Sequence, residues 1–304
     1  MNVLVVGGSG FVGTHLSAEL DDRGHDVTAL SRDPEDPKEG PRLPASVDTY
    51  AGDVTDYDSI EDAFEGQDAV VNLVALTPLF KPKGGNEMHD RVHRRGTENC
   101  LQAAEEHGVD RFVQQSALGA DPDAATHYLR AKGRADEAVR SCDLDWVIFQ
   151  PSIIFGEGDE FAYFTKKLKQ WFAPGLPVYP LPGGGKHALF QPVWVKDFVP
   201  MVADAVEDDD HLGETYQVGG PEVLTLREVT NMVYEAEGKS VSIVPLPMGL
   251  AKVGLGVMGS VGFPLGSDQY QGLRFENVPD HNDVAAFGVG EDELRTYGSY
   301  LGVA

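Results

Sequence analysis

The run NVLVV at positions 2–6 is apolar from its second residue to its last. A parallel strand covered on both faces needs that continuity, because neither set of alternating side chains meets water. The stretch FVGTHLSAELDDRG then carries apolar residues at helical spacing and ends at Gly24. HDVTAL, VDTYAGD and DAVVNLVA predict a second, a short third and a fourth strand. A long helix over EMHDRVHRRGTENCLQAAEEHG closes at Gly108, and the strand DRFVQQSA follows. A helix around THYLRAKGRADEAVRSC and the strand LDWVIFQ complete the series. Strands alternating with helices predict an α/β chain with a doubly wound parallel sheet and right-handed crossovers.

After Pro151 the pattern loosens. A helix near 160–172 leads into the turn-rich APGLPVYPLPGGGKH, ALFQPVWV predicts a strand, and KDFVPMVADAVED a helix despite Pro200. ETYQVGG predicts another strand. LTLREVTNMVYEAEG carries a capping box, with Glu228 three residues after Thr225. The expected layout is a first domain over 1–155, with 187–218 returning to it. A smaller lobe is expected from 156–186 and 219–304.

Charge is the unusual feature of the composition. Asp and Glu total 49 against 24 Lys and Arg, a formal net charge of −25. Such a chain repels nucleic acid and, at low salt, anionic membrane surfaces. The acids are scattered rather than gathered in a tail, which predicts a solvated surface adapted to a halophilic, high-salt cytoplasm. Cys100 and Cys142 have no metal-ligand spacing and fit a reducing compartment. No secretion signal is expected at the N-terminus. The apolar segment 248–266 contains Lys252, Pro264 and several glycines, so it is expected as a packed or pocket-lining segment, with no transmembrane helix.

The strongest chemical signal is Gly7-Gly8-Ser9-Gly10-Phe11-Val12-Gly13, placed between the first strand and the first helix. Gly7 permits the turn, Gly10 lets backbone approach a pyrophosphate, and Gly13 lets helix and strand pack closely. The amides at Phe11 and Val12 open a helix whose N-terminus attracts phosphate. The second strand ends in Ser31 and Arg32 where an acidic residue would hold a ribose 2′-hydroxyl. A small hydroxyl beside a guanidinium suits a 2′-phosphate, with Ser9 as a further donor, so NADP(H) is expected over NAD(H).

These glycines occur in order with AGDVTD, NLVA at 72–75, RGTENCLQAAEEHGVDRFV, SALGA at 116–120, YLRAK at 128–132, QPSIIFG at 150–156 and QPVWVKDF at 191–198. The series resembles the extended and atypical short-chain dehydrogenase/reductases, the epimerase/dehydratase-like group. Within it, the resemblance is to the branch that includes the nucleotide-binding accessory subunit of respiratory complex I. It covers about 220 residues well. It implies a Rossmann-type fold with a substrate lobe, adenine contacts at Asp53 and Val54, and cofactor contacts at Val74, Ala75, Pro151 and Ile153. It also raises association with a respiratory complex or a membrane periphery, and leaves oligomeric state open.

Tyr128 and Lys132 lie four apart, on one face of a helix. An ammonium beside a phenol lowers the phenol's pKa and makes it an acid/base near neutrality; in the family, the lysine also holds the nicotinamide ribose. Ser116 is either the hydroxyl that binds the reacting oxygen or a strand-end serine satisfied by backbone. His89 and His93 mimic a metal pair but are expected as a polar helix face, and His127 is a weaker candidate for the site. The loop 76–88, residues 151–161 and the C-terminal segment are expected to form an apolar pocket with Leu79, Phe80, Phe155, Phe161 and Phe164; Arg274 is the one candidate anchor for a sugar diphosphate. Two functions follow: an NADP-dependent oxidoreductase or epimerase acting on a carbonyl or carbinol, or a non-catalytic NADPH-binding accessory, assembly or sensing protein.

Overall fold

The computed structural model describes residues 1–34, 41–260, 264–272 and 276–303. Six strands, β1 (Asn2–Val6), β2 (Asp26–Ser31), β3 (Asp48–Ala51), β4 (Ala69–Asn72), β5 (Arg111–Gln115) and β6 (Asp145–Pro151), alternate with helices in the first half. The helices are α1 (Phe11–Asp22), the single turn α2 (Glu87–His89), α3 (Gly96–His107) and α4 (His127–Arg140). Between α2 and α3 the chain winds as a π-helix over Asp90–Arg95, so the long predicted helix is continuous but locally widened.

Short strands β7 (Ile154–Phe155), β8 (Val178–Pro182), β9 (Leu189–Phe190) and β10 (Val193–Trp194) follow, with α5 (Phe161–Phe172) before β8 and α6 (Val195–Glu207) after β10. The expected strand ALFQPVWV is thus split in two. Pro192 lies between the halves and has no N–H to continue a ladder. Then come β11 (Thr215–Val218), β12 (Leu224–Thr225), α7 (Leu226–Glu235) with the Thr225–Glu228 capping box formed, and β13 (Ser242–Leu246). The Gly/Pro-rich tail forms α8 (Met248–Ser260), α9 (Ser267–Gly272) and α10 (Tyr297–Leu301).

Seven strands make one parallel sheet in the order β3-β2-β1-β4-β5-β6-β11. Strand β1 pairs with both β2 and β4, so the order reverses there, and that crevice at the carboxyl ends is where α/β sheets bind ligands. Continuous apolarity in β1 has the expected cause. Val3 and Val5 enter a core with α1 and α6 on one face, while Leu4 and Val6 enter a core with α3 on the other. All four are fully buried, each stabilising by roughly 1.5–3 kcal/mol.

Outside the sheet, β8 pairs in parallel with β13, and a separate cluster gathers Phe164, Leu168, Tyr179, Leu181, Leu265 and Tyr270. Segment 264–272 crosses the loop after β4: Lys81 N donates to Pro264 O at 2.7 Å and Gln269 Nε2 to Pro78 O at 3.1 Å. Among the described residues, no helix is long and apolar enough to cross a membrane.

Candidate cofactor and active site

Gly7 has φ +88°, a conformation that glycine adopts without strain. Its amide and that of Gly8 both donate to Leu30 O, at 2.7 and 3.2 Å, tying the loop to the end of β2. A Cβ at Gly13 would lie 2.2 Å from Gly7 O, so helix and loop pack at backbone contact there. At Gly10 a Cβ would meet only Gly7 O, at 3.2 Å, which leaves this glycine's outer side open. Gly10 is also the N-cap of α1 and supplies no side-chain acceptor. The first amides of α1 therefore point out of the helix without an intrahelical partner.

Next to this loop, Ser9 Oγ donates to Ser31 Oγ at 2.8 Å. Arg32 beside them is exposed and forms no ion pair with Asp33 among the described residues. After β3, the Asp53 carboxylate accepts from Thr55 N at 2.9 Å, and buried Val54 accepts through its carbonyl from Asn99 Nδ2 at 2.8 Å. After β4, Val74 is half-buried and Ala75 exposed; Asn72 holds this turn by accepting from Val74 N and donating to Thr97 and Gln114. After β6, Pro151 is buried and Ile153 half-buried, with Ile153 O accepting from Val193 N. Gly7, Ser31, Asp53, Val74, Ser116 and Ser152 thus end or follow six neighbouring strands along one edge of the sheet.

Thr126 caps α4 by accepting from Leu129 N. Asp268 accepts from His127 N at 2.8 Å and pairs with its ring, so the helix start is tied to α9. Lys132 is 1% exposed, and its Nζ donates to Gln115 O at 2.8 Å and Val74 O at 3.3 Å. That fixes the ammonium between the ends of β4 and β5. Burial pushes its pKa down to about 8, opposed by the Asp136 carboxylate one turn further along α4.

Tyr128 departs from expectation. Its hydroxyl makes no hydrogen bond among the described residues, and burial, with Asp136 second, holds its pKa above the ordinary phenol value. Lys132 spends its protons on backbone carbonyls and does not lower the phenol. As it stands, Tyr128 is a protonated acid with a free hydroxyl.

Ser116 is buried and its Oγ donates to Asp136 Oδ2 at 2.8 Å, where Gln150 Nε2 also donates at 3.0 Å. The partner is a side chain beneath α4, not backbone. Desolvation raises the Asp136 pKa against these two donors.

His89 and His93 are not a polar helix face. Each is 1% exposed, and their rings stand edge-on to Tyr128 with centroids 5.6 and 5.2 Å away. His93 lies in the π-helical segment, and His89 in the turn of helix just before it. Leu76 N donates to His93 Nε2 at 2.8 Å, placing that ring's proton on Nδ1. Burial pushes His89 down to about 4 and His93 well below its usual value, so both are neutral at neutral pH.

Leu79 and Phe80 pack with Phe164 and Trp171, the Phe80–Phe164 centroids lying 5.3 Å apart. Phe155 and Phe161, expected beside them, instead fill a different core against Tyr297. Arg274 lies outside the described residues. Motif reading missed Asp136 and Gln150 and took the histidine pair for a polar helix face. The i+4 step from Lys132 to Asp136 was the available signal, since it extends the Tyr128–Lys132 face by one turn.

A family model described as NAD(P)H-binding matches residues 7–170. The mitochondrial NADH dehydrogenase [ubiquinone] 1 alpha subcomplex subunit 9 of Arabidopsis thaliana is 30% identical over 275 residues, covering 87% of this chain and 66% of that protein. An NAD(P)H azoreductase of Xenophilus azovorans is 26% identical over 260 residues, covering 84% and 81%. Among solved structures, a nucleoside-diphosphate-sugar epimerase from Staphylococcus aureus superposes with a TM-score of 0.73 at 17% identity, over 99% of both chains. The chain spans 66% or less of the length of the first complex I relatives it matches.

Proposed function

Because the chain belongs to the NAD(P)H-binding family, we propose that it is an oxidoreductase or epimerase that uses NADP(H) in preference to NAD(H). Its substrate class is a carbonyl or carbinol of apolar character. The observation that carries the reading is Tyr128 with a free hydroxyl one turn from buried Lys132, at the sheet edge that carries the glycine loop.

The donor set fits a dinucleotide. The uncapped start of α1 and the open side of Gly10 suit a pyrophosphate, with Phe11, Val12 and Gly13 supplying amides. Ser9, Ser31 and Arg32 suit a 2′-phosphate; Asp53 and Val54 flank the adenine end, and Val74, Ala75, Pro151 and Ile153 border the nicotinamide end. Lys132 offers its third proton to the ribose. When bound, the cofactor supplies or accepts a hydride.

In the reducing direction Tyr128 donates its phenolic proton to the carbonyl oxygen as that oxygen gains charge, and is reprotonated from solvent. A phenol held above its ordinary pKa is fully protonated at neutral pH, so it has a proton to give in that direction, although as a weaker acid than a free phenol. The neutral rings of His89 and His93 hold Tyr128 from the side and add no charge. Ser116 acts as a positioning residue through Asp136. The apolar cluster that holds Leu79, Phe80 and Phe164 favours an apolar substrate.

One observation favours the second reading, a nucleotide-holding accessory protein as in the complex I relatives: the Ser116 hydroxyl is committed to Asp136, and no other hydroxyl replaces it at Ala117 or Leu118. A cytoplasmic setting is part of either proposal and accords with the free thiols of Cys100 and Cys142.

Calorimetry at fixed salt should show NADPH binding at least several-fold tighter than NADH, with the margin shrinking in Arg32→Ala. Equal affinities would remove the NADP assignment. With a panel of apolar aldehydes and ketones, Tyr128→Phe should bind NADPH normally and lose about 10²-fold in turnover. Tight NADPH binding with no oxidation by any carbonyl would favour the accessory role.

A further inference from the structure

In a chain with 49 acidic residues, none falls between 161 and 196 or between 238 and 267. Those two segments carry Lys166, Lys167, Lys169, Lys186, Lys196, Lys239 and Lys252, of which Lys166 and Lys239 pair with Glu237 at 3.0 and 2.8 Å. The fold brings them together: β8 from the first pairs with β13 from the second, and Phe164, Leu168, Leu181, Ala251 and Leu265 share one hydrophobic cluster.

The same segments hold most of the exposed apolar surface. Six of the eight exposed large hydrophobics among the described residues lie there: Tyr163, Phe172, Leu176, Val244, Leu250 and Val253. On α8, Ala251 is buried while Leu250 and Val253 on either side are 63% and 65% exposed. Thus α8 is not wholly the packed segment its composition suggests. It turns bulky aliphatic residues to solvent beside Lys252.

We propose that this face docks on an anionic lipid bilayer, with α8 lying in the interface. Charge complementarity identifies the occupant. Exposed apolar side chains in the same two segments as Lys167, Lys169, Lys186 and Lys252 match the boundary between acyl chains and anionic headgroups, where aliphatic residues insert and ammonium groups stay at headgroup level. The acidic remainder is repelled by such a surface, and that repulsion orients the protein with this lobe down. A soluble acidic protein could satisfy the lysines but would leave Leu250 and Val253 without an apolar partner. Loop 76–88 joins the same lobe through Phe80, whose ring lies 6.5 Å from Tyr163, so docking would bring the candidate apolar pocket close to the bilayer.

The test is flotation of the full chain with vesicles of phosphatidylglycerol and phosphatidylcholine, and of phosphatidylcholine alone, at KCl concentrations where it melts cooperatively. Expected are at least tenfold tighter binding to the anionic vesicles and at least tenfold loss in Leu250→Glu/Val253→Glu. The melting temperature and NADPH affinity of this variant should stay at parent values, since both residues are exposed. Lys167→Glu/Lys169→Glu should reduce the preference for anionic lipid and leave weak binding to neutral vesicles. No flotation by the parent, or undiminished flotation by the α8 variant, overturns the proposal. So does a dimer without lipid that Leu250→Glu/Val253→Glu converts to monomer, because the face is then a contact between copies of this chain.

Discussion

Lys132 allows the sharpest quantitative prediction. Its pKa falls from an ordinary 10.5 to about 8 in the folded chain, mainly through burial. The unfolded chain therefore holds that proton more tightly. The destabilisation is full below pH 8 and fades as pH rises from about 8 towards 10.5. Between pH 7 and pH 9.5 the folded state should recover about 2 kcal/mol from this group alone. Lys132→Met keeps the length of the side chain and removes the titration. Its loss of hydrogen bonds to Gln115 O and Val74 O is a penalty that does not vary with pH. Urea unfolding of parent and variant, at pH 7 and 9.5 in one fixed KCl concentration, should show the stability difference moving by about 2 kcal/mol in the parent's favour at the higher pH. Asp136→Asn should lower the lysine midpoint further, because the carboxylate is what opposes burial. A parent–Met difference that stays constant between the two pH values would refute a buried, charged lysine at this position. The functional corollary is that NADPH binding, if it uses the ammonium, takes up a proton above pH 8 and weakens between pH 8 and 9.5.

Gly13→Ala places a Cβ 2.2 Å from Gly7 O, a backbone atom that cannot rotate away, so it should cost about 1–3 kcal/mol of stability and most of the cofactor affinity; parent-like melting and binding would show that the loop yields. Ser116→Ala removes one donor from buried Asp136 and should cost about 1–2 kcal/mol in stability while turnover stays within a few-fold. A turnover loss of about 10² would instead make Ser116 the substrate hydroxyl. With a net charge of −25, the melting temperature should rise from low to molar KCl as screening relieves carboxylate repulsion, and a flat profile would contradict this.

Those features that rest on local pattern were legible before any coordinates. The buried run of β1, the glycine turn into α1, the capping box at Thr225 and Glu228, and the placing of Tyr128 and Lys132 on one helical face each follow from spacing within a few residues. Their physics is local: a two-residue or 3.6-residue period, a backbone angle, a helix end. What each polar side chain meets was not legible, because the partners come from distant strands. Lys132 bonds the carbonyls of Val74, just past β4, and of Gln115, at the end of β5, and Ser116 bonds Asp136 from α4. Two histidines that spacing alone suggested were solvated are buried against Tyr128, a contact that only the packing of α4 against the segment 87–95 creates. The chain alone also displayed two acid-free segments, but only the β8–β13 pairing made them one surface. Spacing along the chain set which chemical groups are present; burial, which is a property of the packed whole, decided their charge and the direction in which they act.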